Sequence, residues 1–99
     1  MTTKFYRDHE NKYVGKTDLK MNNGMELTIR TYSYNGVLTS TAQAQTVSDD
    51  GRSTSFVMFQ DFNKRISSNR VRSSVKAIEA QHNAIDCDDI LVQANAHYA

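Results

Sequence analysis

The chain has no proline, four glycines, one cysteine and almost no net charge, and each shortage removes a class of function. The lone Cys87 rules out an internal disulfide and any multi-cysteine metal site, and it suits a reducing compartment. All four glycines stand in turn-like settings, leaving no glycine-rich loop to cradle a phosphate. Twelve Lys and Arg against eleven Asp and Glu give a net charge of +1, so no whole-molecule field draws the chain to nucleic acid or membrane. Electrostatic recognition has to come from local patches. No stretch approaches the ~18 consecutive apolar residues of a membrane helix, and the opening MTTKFYRD lacks the apolar run of a signal peptide. A cytosolic product is expected, or a viral one released into a host cytosol. His9, His82 and His97 have no metal-like spacing, and the acids flanking Cys87 disfavour a thiolate paired with His82 or His97. Neither catalysis, a cofactor nor a metal is expected.

What the chain does have is turn punctuation. Asn35-Gly36 and Asp50-Gly51 accept the two positive φ angles of a type I′ hairpin. Folding at the first sets Tyr34 opposite Val37, Ile29 opposite Ala42 and Leu27 opposite Ala44. Folding at the second sets Ala44 opposite Val57 and Ala42 opposite Phe59. Asn22-Asn23-Gly24 closes a further hairpin, with Met21 facing Met25 and Leu19 facing Leu27. The result is a four-stranded antiparallel meander over residues 19–60. One face carries Leu19, Met21, Leu27, Ile29, Leu38, Ala42, Ala44, Val57 and Phe59 and is the core. Residues 4–16 form a small hairpin or a loose arm with a polar tip at residues 9–11.

After Gly51 neither glycine nor proline occurs, and apolar residues recur with a helical period: Val71, Val75, Ile78, His82 and Ile85. Ser67, Ser68 or Asn69 is the expected cap. A break at residues 86–89 starts a second helix capped by Asp86, with Ile90, Leu91, Ala94 and Tyr98 on its apolar face. Residues 67–98 are therefore read as two helices packed on the core face of a single α+β domain spanning residues 1–99. His82 is expected to be a packing residue with a hydrogen bond.

Two constellations are candidate binding surfaces. Lys64, Arg65, Arg70, Arg72 and Lys76 lie in residues 62–78, a segment without one acid, interleaved with serines that can donate to phosphate. The second sheet face combines Arg30, Tyr32, Tyr34, Phe56 and Met58, a set able to stack unpaired bases or to form the centre of a protein interface. Blander readings stand beside both. The cations can be a solvated helix face, and residues 4–16 can fold over the aromatic face. That face is also open to pairing in a homodimer.

Residues 5–15 (FYRDHENKYVG), 22–32 (NNGMELTIRTY) and 55–66 (SFVMFQDFNKRI) resemble small proteins of bacteriophages and mobile elements. In size and sheet-plus-helix plan the chain is most similar to anti-CRISPR inhibitors. The resemblance implies a stoichiometric binder that blocks a host CRISPR-Cas surveillance complex in the host cytoplasm, by touching its guide RNA or occluding target DNA. The near-neutral charge and basic segment depart from the acidic, DNA-mimicking members and favour contact with the RNA-loaded complex. The alternative is a stand-alone nucleic-acid-binding regulator, dimeric or not.

Overall fold

A computed structural model describes residues 1–46, 62–70, 72 and 74–99. The chain is α+β: an antiparallel sheet in sequence order, with two helices against one face. The strands are β1 (Thr2–Arg7), β2 (Tyr13–Lys20), β3 (Glu26–Tyr34), β4 (Val37–Gln45) and β5 (Asn63–Asn69); the helices are α1 (Val75–Asn83) and α2 (Cys87–His97). Neither helix is long and apolar enough to cross a membrane.

The central registers follow from the turns. Asn35 and Gly36 both take positive φ, +50° and +76°, and Tyr34 pairs with Val37, Ile29 with Ala42 and Leu27 with Ala44. Leu19 faces Leu27, and the Met21 amide donates to the Met25 carbonyl across the preceding turn. Three expectations are corrected. Among the described residues the sheet has five strands, because residues 4–16 take the hairpin of their two readings, pairing as β1 and β2 and extending the sheet. The Asp50-Gly51 hairpin, Val57 and Phe59 lie outside the described residues, and the residue across from Ala42 on its far side is Lys64 of β5. Residues 67–69 continue that strand instead of opening a helix, so α1 begins at Val75, with Ser74 Oγ accepting from the Ala77 amide. The physical reason is a bulge. Thr41 pairs with Arg65 and Ser40 with Ser67, so Ile66 has no partner across the ladder and turns towards the core on the same side as Ser67, while Arg65 stays on the opposite face.

Strand alternation sends Leu19, Met21, Met25, Leu27, Ile29, Ala42 and Ala44 to the helix side, where Phe62, Ile90 and Ala94 join them. Asp86 caps α2 as expected, its Oδ1 accepting from the Asp89 amide. Ala42 is 1% exposed beside Ile29. Ala42→Leu is therefore expected to overpack the core and cost about 1–3 kcal/mol in chemical denaturation, with Gln43→Leu on the opposite face costing much less. Equal losses would contradict this register.

Candidate nucleic-acid interface

The helix side of the sheet is apolar beneath α2 but polar beneath α1. Thr17, Thr31, Ser40 and His82 are each at most 2% exposed. His82 reaches down from α1 so that its Nε2 lies 2.7 Å from Thr17 Oγ1 and its Nδ1 2.8 Å from Thr31 Oγ1. The chain of contacts continues from Thr17 to Thr3 Oγ1 and from Thr31 to Ser40 Oγ, which accepts from Gln81 Nε2. One proton orientation satisfies all of these groups with a neutral imidazole, and burial lowers the His82 pKa below 6.5. Gly15 leaves the room: a Cβ there would stand 2.8 Å from the Phe5 ring and 3.0 Å from His82. Cys87 sits beside this network, and burial raises its pKa despite a hydrogen bond with Thr17. His82 is thus a hydrogen-bonded packing residue, as its place on the apolar stripe predicts. Among the described residues, no group of three or more His, Cys, Asp and Glu could hold a metal.

No described helix packs on the opposite, open face, although Val14, Thr28 and Thr39 are buried within it, and there the registers align cations. Lys4 pairs with Lys16, Lys16 with Arg30, Arg30 with Thr41, and Thr41 with Arg65. With strands about 4.8 Å apart, this row crosses all five and spans ~19 Å. Side chains facing one another across an antiparallel pair are in contact range, and like charges there are destabilising. Lys16 has a partial counter-charge in Asp18 at 3.7 Å. Among the described residues, no carboxylate is within ion-pair range of Lys4, Arg30 or Arg65.

Beside the cations lies an aromatic row. Tyr6 pairs with Val14 and Tyr32 with Thr39; extending the β2–β3 register one residue past Gly15 and Thr31 sets Val14 against Tyr32. Val14 is buried, Tyr32 half-buried, Tyr6 exposed, and Tyr34, two residues beyond Tyr32 on the same face, is 61% exposed. These residues, with Arg30, Asp8, Glu10 and Lys12, enclose a hollow of about 470 Å³.

The sequence candidates divide accordingly. Arg30, Tyr32, Tyr34 and Arg65 share the open face. Lys64 does not: it lies across from Ala42 on the helix side and donates to Gln93 Oε1. Arg70 and Arg72, between β5 and α1 rather than on a helix, border a depression of about 410 Å³ with the Asn35-Gly36 turn. That turn also borders a neighbouring depression of about 580 Å³ with Arg7, Lys12 and Tyr13, whose hydroxyl donates to Glu79. Lys76 is exposed on α1. Phe56 and Met58 lie outside the described residues. Lys4, Tyr6, Lys12 and Lys16 were missed, although alternation in residues 4–6 and 12–16 places each pair on one face once β1 and β2 are recognised as a hairpin.

No protein-family model matches the chain, and neither a curated protein nor a solved structure does.

Proposed function

We propose that the chain is a non-catalytic, stoichiometric binding protein that lays the open face of its sheet along single-stranded nucleic acid held in a nucleoprotein complex. The resemblance to phage-encoded anti-CRISPR proteins makes that complex a host CRISPR-Cas surveillance complex and the strand its guide RNA. The observation that carries this reading is the row Lys4, Lys16, Arg30 and Arg65 lying alongside Tyr6, Tyr32 and Tyr34. A pleated face with cations in one line and ring faces in the next offers a sugar-phosphate backbone and its unstacked bases separate tracks. Duplex DNA buries its ring faces and cannot use the second track. Arg70 and Arg72 add two further cations beside the Asn35-Gly36 turn.

The test is titration of a fluorescent single-stranded RNA of about ten nucleotides at several salt concentrations. Three to four displaced phosphate counterions imply a log-log salt slope of about −2 to −3. Absence of binding at low salt, or equal affinity for duplex DNA, would refute the reading. Capture by the RNA-loaded surveillance complex, and not by its apo subunits, identifies the inhibitor. Tight binding to free RNA without capture by the complex identifies the stand-alone regulator instead.

A further inference from the structure

The hollow on the open face contains carboxylates, which a phosphate-binding surface does not call for. Asp8 has a local structural role, since its Oδ1 accepts from the Glu10 amide at 2.9 Å and the Lys12 amide at 3.0 Å, building the β1–β2 turn. These bonds, that from Lys12 foremost, hold its carboxyl below the ordinary 3.8. Glu10 has no such role. Its Oε1 lies 3.6 Å from His9 Nε2 and its Oε2 3.6 Å from Lys12 Nζ, exposed ion-pair contacts longer than a hydrogen bond.

Glu10 and Lys12, both lining a tyrosine-walled hollow, therefore offer in order a donor, Nζ, an acceptor 3.6 Å from it, Oε2, and the second oxygen of the same carboxylate, Oε1. Among the unpaired bases, the complementary edge belongs to guanine, whose O6 accepts while N1–H and the N2 amino group donate. Adenine offers a donor and then an acceptor. Cytosine offers one donor followed by two acceptors, and uracil one donor between two acceptors. Resting on the reading of the open face as a single-strand site, we infer that this hollow is a nucleobase pocket selective for guanine. The base stacks on the wall tyrosines above Val14 while Glu10 and Lys12 engage its Watson–Crick edge. The volume of about 470 Å³ suits a base with its sugar and lies within the range of small-ligand clefts.

The experiment uses the whole chain and four labelled ten-nucleotide RNAs, an oligouridine and three copies carrying one central guanosine, inosine or adenosine. Inosine keeps O6 and N1–H but lacks the N2 amino group. Anisotropy titrations are expected to rank guanosine about tenfold above inosine, with adenosine and uridine weaker still. Glu10→Gln, at an exposed turn, should lower the guanosine affinity about tenfold and close the gap to inosine. Equal binding of all four RNAs by the wild type overturns the guanine assignment while leaving single-strand binding intact. Failure to bind any of them overturns both.

Discussion

His82→Ala is expected to destabilise the fold by about 3–5 kcal/mol and to lower Tm by at least ~12 °C, the largest effect of any single substitution considered. Two costs combine. Removing a side chain only 2% exposed leaves a cavity between α1 and the sheet, and it takes a hydrogen-bond partner from each of two buried hydroxyls, on Thr17 and Thr31. The same residue sets a pH dependence. Its folded pKa lies below 6.5, so between the folded value and 6.5 the unfolded chain binds more protons than the native one. Stability is therefore complete above pH 6.5 and falls as the pH drops below it. Asp8, with a depressed carboxyl, loses its contribution only below 3.8, so the two windows are separable. Denaturant titrations at pH 7 and pH 5 should show the wild type losing stability while His82→Ala does not. A variant that loses under 1 kcal/mol, or keeps the wild-type slope between pH 5 and 7, would show that the network does not hold the imidazole neutral.

Residues 19–45 were legible because local chemistry alone determines them. Asn35-Gly36 permits one tight turn, and a one-residue slip would have sent Leu27 and Ile29 to the wrong face. The second helix was legible for a similar reason, since Asp86 both interrupts the apolar stripe and caps the helix that begins at Cys87. Residues 63–69 were not. NKRISSN lacks glycine and proline and contains the serines and asparagine that cap helices, so a helical start looked natural. The strand forms because β4 offers it an edge, and the bulge at Ile66 lets it present Lys64, Ile66 and Ser67 together towards the helices, a pattern with neither period 2 nor 3.6. The polar floor beneath α1 escaped notice as well. Thr17, Thr31 and Ser40 each suit a strand, and only their convergence on His82 makes them a unit.

The candidate site was half legible by the same logic. Arg30, Tyr32 and Tyr34 follow from a hairpin register, but the row they join depends on β1, whose six residues alternate too weakly to declare a strand alone. Reading the cations of residues 64–76 as one helical patch grouped by sequence what the fold separates. Arg65 faces the open side, Lys64 packs against α2, and Arg70 and Arg72 border the β3–β4 turn.

Neutralising the middle of the cation row should separate folding from binding. Arg30 faces Lys16 on one side and Thr41 on the other, and no described carboxylate pairs with it. Arg30→Thr removes a like-charge neighbour and inserts a β-branched residue favoured in strands, so stability should hold or rise by about 0.2–1 kcal/mol. Lys16→Thr relieves repulsion with both Lys4 and Arg30 but gives up the 3.7 Å pair with Asp18, a partly exposed contact worth at most about 1 kcal/mol. The double variant should fold with near wild-type stability. If the row tracks a phosphate backbone, its affinity for single-stranded RNA should nevertheless fall about 100-fold, roughly 2.7 kcal/mol, and the log-log salt slope should shrink by about 1.4. Such a combination marks residues retained for a partner at the expense of the fold. The opposite combination, a loss of more than 1 kcal/mol in stability with RNA affinity and salt slope unchanged, would make the row a structural feature of the sheet and remove the observation on which the proposed function stands.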